Sequence, residues 1–183
     1  MDDRKKRLGT LLQEKALSRG HFVLASGATS TYYLDVRKVS MDPEGASLIA
    51  ELFLDELEAD TIDAVGGPVL GAAPIVGALA AASFHRKRPL PVFLVRKEAK
   101  VHGTGQRIEG LFPAGRPTAL VEDVVTAGGS VLSAIQAVRE AGSEVVHVLA
   151  VVDRGAGGRE ALQAAGVRFT ALFHVSELLG EPA

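Results

Sequence analysis

Cysteine and tryptophan are both absent from this chain of 183 residues. The absence of cysteine excludes disulfides, thiolate nucleophiles and Cys-ligated zinc sites. The chain also has no large excess of charge, because 20 Lys and Arg residues are balanced by 22 Asp and Glu residues, for a formal net charge of −2. This balance argues against a protein that coats nucleic acid and against a polybasic membrane binder.

Long apolar runs are missing as well. The most apolar stretch, 70–83, is interrupted by glycine and proline and is too short to span a bilayer. The charged beginning of the chain, 1–7, has no apolar core and does not resemble a signal peptide. We therefore expect a cytoplasmic protein that binds neither membranes nor nucleic acid.

The hydrophobic pattern predicts one α/β domain over residues 1–183, with 47% hydrophobic residues available for a core. An opening helix is predicted over 3–19, followed by strand-like runs at 22–25 and 31–36, which we interpret as a small N-terminal hood over approximately 1–40. The core, approximately 41–183, begins with a helix that Asp42 caps and Pro43 opens. Further helices are predicted up to residue 83, over 130–141, after residue 152 and near residue 177. The predicted core strands are 62–65, 92–95, 119–121, 145–152 and 169–173.

Apolar strands with helices between them are typical of a doubly wound parallel sheet covered on both faces. Ligands of such sheets bind beyond the carboxyl ends of the strands. Three predicted strand ends carry unusual residues: Gly66-Gly67-Pro68, Arg96-Lys97 and Glu122-Asp123. We expect these three places to form the functional site. His147, inside an apolar strand, is instead predicted to be a core residue with its polar atoms satisfied.

The segment 119–130, ALVEDVVTAGGS, joins two adjacent carboxylates to a turn of small residues and a helix start. Free backbone N–H groups and the helix dipole favour an anion there, and Gly128 and Gly129 allow a phosphate to approach the main chain. The carboxylates of Glu122 and Asp123 would repel a phosphate, but they suit a ligand with neighbouring hydroxyls. A ribose 5-phosphate has both groups. The alternative is an ordinary strand–helix connection in which Ser130 caps the helix.

A basic segment, 96–110, follows the second core strand and reads RKEAKVHGTGQRIEG. Its four potential cations and its glycines predict a mobile loop suited to a polyanion such as a diphosphate leaving group. A solvated, salt-bridged surface loop is the alternative.

The segment 121–130 resembles the phosphoribosyl-diphosphate signature of the type I phosphoribosyltransferases. The pattern RKEAKxHG of the basic segment is similar to the catalytic loop of the orotate phosphoribosyltransferase family, and the resemblance extends from Phe22 to about Ala165. It implies a glycosyltransferase that transfers ribose 5-phosphate from phosphoribosyl diphosphate to orotate in pyrimidine synthesis, with Mg²⁺ as cofactor and no metal site made by the protein alone. It also implies a homodimer in which the basic loop reaches the neighbouring subunit's site.

By the same resemblance, Lys100 and His102 are catalytic, and His102 is a candidate general acid for the departing diphosphate. The residues implied to bind phosphoribosyl diphosphate are Arg96, Lys97, Lys100, His102, Glu122, Asp123, Val124, Val125, Thr126, Ala127, Gly128, Gly129 and Ser130. Thr126 and Arg154 are implied to bind orotate. From position alone, Arg154 could equally form a local ion pair with Asp153 or Glu160.

The chain departs from some family members at Ala25 and Gly71, where those members have lysines. A purine-base phosphoribosyltransferase is the nearest alternative function, because orotate differs from purines in needing a partner for its carboxylate. A non-catalytic regulator that senses phosphoribosyl diphosphate is a further alternative, but the chain has neither an added nucleic-acid-binding domain nor a basic excess.

Overall fold

The computed structural model describes residues 2–23, 27, 29–98 and 107–180. Its helices are α1 (Asp3–Leu11), α2 (Arg37–Ser40), α3 (Pro43–Glu56), α4 (Ala73–His85), α5 (Gly129–Glu140), α6 (Gly158–Ala164) and α7 (Val175–Leu179), and a π-helical turn, Leu12–Ala16, follows α1. The strands are β1 (Leu17–Val23), β2 (Thr29–Leu34), β3 (Ala64–Pro68), β4 (Val92–Val95), β5 (Ile108–Gly110), β6 (Pro117–Val125), β7 (Glu144–Asp153) and β8 (Arg168–His174).

The six-stranded main sheet has the order β5-β4-β3-β6-β7-β8, and all its pairs are parallel except β4 with β5. One hydrophobic cluster covers the face that carries α1, α3 and α4, and a second covers the face that carries α5 and α6. The direction of chain progression reverses between β3 and β6, which is where doubly wound sheets place their ligands. The predicted doubly wound α/β fold is confirmed, whereas the division into one domain with a hood stays a prediction.

The start of α3 shows how directly local sequence determines one element. Asp42 has an extended backbone, and its Oδ1 accepts hydrogen bonds from the N–H groups of Glu44, at 3.1 Å, and Gly45, at 3.0 Å. Pro43 occupies the first turn, where no intrahelical N–H is needed. Ile49, Leu52, Phe53 and Leu57 are buried, as the predicted helix requires.

The amino-terminal region differs from the predicted long helix. Residues 12–16 continue α1 as a π-helical turn, and the chain then enters β1 at Leu17, which pairs with Leu34 of β2. Leu8, Leu11, Leu12 and Ala16 are buried as predicted. The next turn, however, offers no apolar residue for that face, and antiparallel pairing with β2 replaces the helical hydrogen bonds.

Two strands near the site extend further than predicted. β3 includes Gly66-Gly67-Pro68, and β6 includes Glu122 and Asp123, so these residues lie inside strands rather than after them. Both strands pair in parallel with neighbours on two sides, which supplies hydrogen bonds that single-strand patterns do not reveal. A Cβ on Gly66 would overlap the ring of Phe93, so glycine here serves packing rather than a turn.

The predicted core role of His147 is confirmed. Its side chain is 1% exposed, its Nδ1 lies 2.7 Å from Asp60 Oδ2, and its Nε2 lies 2.9 Å from Thr170 Oγ1. Asp60 also accepts hydrogen bonds from Arg168, whose Nη2 is 2.6 Å from Oδ2. This network joins the beginnings of β7 and β8 to the loop before β3, at the edge of the sheet opposite the strand carboxyl ends.

Within the part of the chain that the structure describes, no helix is long and apolar enough to cross a bilayer.

Candidate active site

A cavity of about 370 Å³ lies at the carboxyl ends of β3 and β4 and the beginning of α5. It is lined by Pro68, Val69, Val95, Arg96, Lys97, Arg107, Gly129, Ser130, Ser133 and Ala134. Two of the three places singled out by their sequence, at the ends of β3 and β4, thus line one cavity, and the third, the acid pair, is joined to it by the hydrogen bond between Ser130 and Glu122. Parallel pairing of β3 with both β4 and β6 accounts for this convergence.

The acid pair lies beside this cavity in the last part of β6. Glu122 is 5% exposed; its Oε2 accepts a hydrogen bond from Ser130 Oγ at 3.0 Å, and its Oε1 accepts one from the Asp123 N–H at 3.1 Å. Burial, followed by the negative charge of Asp123, raises the pKa of Glu122 to about 8. Asp123 is half-buried, and its Oδ1 accepts a hydrogen bond from the Val124 N–H at 2.8 Å. Burial thus favours the protonated form of Glu122 in the ligand-free protein, and the side chain links the strand to the start of α5.

Gly71, in the β3–α4 connection, packs directly against the acid pair. A Cβ at this position would lie 2.7 Å from Asp123 Cγ and 2.8 Å from Glu122 Oε1. Any side chain at residue 71 would therefore have to displace the carboxylates. This contact gives a structural reason for glycine where some family members have lysine, while the second departure, Ala25, lies outside the described residues.

The turn after β6 exposes helix N–H groups, as an anion site requires. Gly128 has a φ of +81° and is the N-cap residue of α5, and no described side chain caps this helix start. Ser130 instead donates its hydroxyl hydrogen bond to Glu122, so it is not the cap of an ordinary connection. Thr126, Ala127, Gly129 and Ser130 are exposed.

The amino terminus of α6 supports this turn from behind. A Cβ on Gly158 would overlap the Thr126 carbonyl oxygen and would lie 3.2 Å from the Gly128 nitrogen. Glycine is required here because two stretches of backbone pack directly against each other. The contact holds the turn in place independently of any ligand.

Of the predicted basic contacts, the structure describes Arg96 and Lys97, which line the cavity directly after β4. Arg96 Nη1 lies 3.1 Å from Glu109 Oε1, so part of its charge is balanced within the protein. Lys100 and His102 lie outside the described residues, and their proposed catalytic roles stay predictions.

Arg154 follows β7 at the same edge of the sheet. Its N–H donates to the Val125 carbonyl at 2.9 Å, and its guanidinium lies 5.1 Å from the ring centroid of Tyr32 in β2. Asp153 instead accepts hydrogen bonds from the Gly155 N–H and the Arg159 side chain, so the local pair of Arg154 with Asp153 is not formed. Arg154 thus faces the two-stranded sheet, and its charge is directed toward the space that this sheet covers.

Sequence reasoning did not single out Arg107, although this arginine lines the cavity. It also missed β5, the short antiparallel strand that places Arg107 beside Arg96. The alternating residues of 108–110 are too few to be recognised as a strand without their partner. The packing requirements at Gly71 and Gly158 were equally hidden, because they arise from residues distant in sequence.

Carboxylate oxygens of the acid pair are hard donors of the kind that Mg²⁺ prefers. Within residues 2–23, 27, 29–98 and 107–180, however, no group of three or more His, Cys, Asp or Glu side chains is arranged to hold a metal ion. Glu122 and Asp123 are the described side chains that would contribute oxygens to Mg²⁺ at this site.

Comparison with known proteins agrees with this arrangement. The model of the phosphoribosyl transferase domain matches residues 38–172. The chain is 42% identical over 179 residues to orotate phosphoribosyltransferase from Rhodopseudomonas palustris (strain TIE-1), covering 96% of each chain, and 43% identical over 178 residues to that of Aquifex aeolicus (strain VF5), covering 96% of this chain and 97% of the other.

Among solved structures, the crystal structure of Mycobacterium tuberculosis H37Rv orotate phosphoribosyltransferase in complex with 5-phospho-α-D-ribosyl 1-diphosphate superimposes with a TM-score of 0.82 at 33% identity. The alignment covers 97% of this chain and 99% of that chain. The chain, with its acid pair beside the start of α5, therefore belongs to the orotate phosphoribosyltransferase family.

Proposed function

We propose that this enzyme transfers ribose 5-phosphate from phosphoribosyl diphosphate to N1 of orotate, giving orotidine 5′-phosphate and diphosphate. The observation that carries the proposal is the acid pair, Glu122 and Asp123, beside the N-terminus of α5, in a chain that matches orotate phosphoribosyltransferases along 96% of its length. The reaction serves pyrimidine nucleotide synthesis.

The acid pair binds the ribose in this proposal. The 2′ and 3′ hydroxyls donate hydrogen bonds to the carboxylates of Glu122 and Asp123, which fixes the sugar and its anomeric carbon. Because that carbon gains positive character as the bond to diphosphate breaks, a neighbouring carboxylate also stabilises the developing charge. Only the ionised form of Glu122 supplies negative charge beside the anomeric carbon, so this contribution of Glu122 requires the loss of its proton.

The turn after β6 binds the 5-phosphate. The N–H groups of 126–130 are available where no described side chain caps α5, and the positive end of the helix dipole favours the phosphate charge. The hydroxyl of Thr126 adds a donor, whereas Ser130 contributes its backbone N–H because its hydroxyl donates to Glu122. Val124, Val125 and Ala127 belong to the segment that the family resemblance implies binds phosphoribosyl diphosphate. The contact of Gly158 behind the turn supports a phosphate site that exists before the ligand arrives.

The diphosphate is held by the basic segment. Arg96 and Lys97 line the cavity and supply positive charge, and we extend this role to Lys100 and His102 from the sequence pattern. Cations around the leaving group stabilise the negative charge that accumulates on it. Mg²⁺, when bound, adds to this neutralisation, with its ligands drawn mainly from diphosphate and ribose oxygens.

Orotate is recognised by Arg154 and Thr126. The guanidinium of Arg154 forms no ion pair with Asp153 or Glu160 in the described part of the protein, so its fork is available for the orotate carboxylate. The stacked Tyr32 ring limits the orientations of the guanidinium. A purine base has no carboxylate for this arginine to bind.

We infer further that the enzyme is a cytoplasmic homodimer. The exposed face of α4 carries Gly77, Ala81 and Phe84, and the Phe84 side chain is 70% exposed. An apolar helix face is stabilised when a second subunit removes it from water. Light scattering should give the mass of two chains, and Phe84→Glu should shift the equilibrium toward the monomer.

The proposed reaction is tested by following the ultraviolet absorbance of orotate with phosphoribosyl diphosphate and Mg²⁺. Orotate should be consumed, and equimolar diphosphate should be released. Parallel assays with adenine and xanthine identify the base. Faster turnover of a purine than of orotate would refute the assignment of a pyrimidine substrate. If calorimetry showed that phosphoribosyl diphosphate binds but no assay showed release of diphosphate, the protein would be a regulator instead.

A further inference from the structure

Arg107 connects three parts of the cavity wall. Its Nη2 donates to Ser133 Oγ on α5 at 2.8 Å, and its Nε donates to the Arg96 carbonyl after β4 at 3.1 Å. The Arg96 N–H in turn donates to the Arg107 carbonyl at 2.8 Å. These bonds fix the plane of the Arg107 guanidinium relative to both the end of β4 and the second turn of α5.

The charge of Arg107 is not balanced by these contacts. All three acceptors of Arg107 are neutral: the Ser133 hydroxyl, the Ser133 carbonyl and the Arg96 carbonyl. The neighbouring Arg96, in contrast, pairs with the carboxylate of Glu109. The remaining nitrogen of the guanidinium, Nη1, has no hydrogen bond to the described residues. Arg107 is half-buried, so a fixed, unbalanced cation faces a partly desolvated space.

The cavity that Arg107 lines also contains the first residues of α5 and the side chain of Lys97. The helix N-terminus contributes partial positive charge, and Lys97 contributes a full one. An anion in this cavity would therefore meet N–H donors on one side and a fixed guanidinium on the other. Planar N–H donors of arginine match two oxygens of a phosphate group.

We propose that Arg107 binds phosphate oxygens of the ribosyl donor, with Ser133 and the Arg96 carbonyl holding its guanidinium in position. The inference rests on the proposed function, because that function supplies a donor with a 5-phosphate and a diphosphate. Both groups offer the same oxygen chemistry, and the cavity lies between the turn after β6 and the basic residues after β4. The two groups are distinguished by experiment.

The test compares Arg107→Ala and Arg107→Lys with the unaltered enzyme. Titration calorimetry measures binding of inorganic diphosphate and of ribose 5-phosphate, and initial rates give KM for each substrate. Arg139→Ala is the control, because Arg139 is an exposed arginine of α5 whose Nη2 donates to the Ala165 carbonyl, away from the cavity. Thermal unfolding of each variant establishes that it is folded.

Loss of a charge-assisted bond to phosphate should weaken binding of one of the two probes on the order of tenfold in Arg107→Ala. The probe that loses affinity shows which phosphate group of the donor Arg107 binds. The KM for phosphoribosyl diphosphate should rise, whereas the KM for orotate should stay within about twofold, because the lost charge faces only the donor. Arg107→Lys should recover part of the affinity, because it keeps the charge without the planar fork. Ser133→Ala should show a smaller loss, because it frees the guanidinium without removing it.

Unchanged affinity for both probes in Arg107→Ala would overturn the inference, as would an equal rise in both Michaelis constants. In either case the unaltered enzyme would still convert orotate, so the proposed function would stand. Failure of the unaltered enzyme to convert orotate is a different result, and it would refute the proposed function itself.

Discussion

Replacing Glu122 by glutamine should stabilise the protein at alkaline pH. Burial and the charge of Asp123 raise the pKa of Glu122 from 4.5 to about 8, so the folded protein holds this proton more tightly than the unfolded chain. The resulting stabilisation is complete below pH 4.5 and is lost as pH rises toward about 8. At about 1.4 kcal/mol for each pKa unit, the loss corresponds to about 5 kcal/mol.

Glutamine keeps the shape of the side chain but cannot ionise. Its amide nitrogen cannot accept one of the two hydrogen bonds that Ser130 Oγ and the Asp123 N–H donate to Glu122, which costs about 1 kcal/mol. Near pH 5 the unaltered protein has already lost about 1 kcal/mol of this stabilisation, so Glu122→Gln and the unaltered protein should be about equally stable there. At pH 9 Glu122→Gln should be on the order of 3–4 kcal/mol more stable. The two stability curves should therefore meet near pH 5 and diverge as the pH rises.

Urea unfolding at intervals from pH 5 to pH 9 measures this difference, with the slope m compared to verify that the same transition is observed. Glu144→Gln is the matched control, because Glu144 is exposed at the beginning of β7 and keeps its contact with water on folding. Parallel curves for Glu122→Gln and the unaltered protein over this range would refute the reasoning. They would mean that Glu122 is already ionised in the folded protein at neutral pH.

Three further changes test other parts of the site. Gly71→Ala should lower kcat/KM for the ribosyl donor on the order of tenfold, because its Cβ would lie 2.7 Å from Asp123 Cγ, and unchanged steady-state kinetics would contradict this. Arg154→Ala should raise KM for orotate by about 10- to 100-fold, the loss expected for a charged hydrogen bond, and should leave calorimetric binding of phosphoribosyl diphosphate unaltered. Burial lowers the pKa of His147, so the unfolded chain takes up the proton first and the free energy of unfolding falls as the pH drops below 6.5. In His147→Gln, the free energy of unfolding measured in urea should depend less on pH in this range. An equal pH dependence in the two proteins would contradict this explanation.

Elements whose signals are local could be predicted well. β4 has the predicted bounds, 92–95, and α3 begins where Asp42 and Pro43 indicate. The acid pair, the turn after β6 and Arg154 do lie at one edge of the sheet, because parallel strands bring their carboxyl ends together. The hydrophobic pattern, the helix cap at Asp42 and the rule that ligands bind where the strand order reverses were sufficient to predict these features.

Features that depend on partners distant in sequence could not be predicted. β6 extends through Glu122 because β7 pairs with it as far as Val125, and polar residues do not end a strand whose backbone is paired. β5 exists because β4 offers an open edge, and Arg107 gains its position from that pairing. The raised pKa of Glu122 likewise follows from burial, which the sequence does not display.

The contact of Gly158 behind the turn after β6 has a consequence for inhibitor discovery. Because this turn is already formed in the free protein, it loses little conformational entropy when a small molecule binds. Even very small compounds can therefore bind with a large favourable free energy per non-hydrogen atom. Phosphonate and sulfonate fragments that carry a vicinal diol should therefore be detectable by crystallographic screening at millimolar concentration. They would provide starting points for growing larger antagonists toward Arg154.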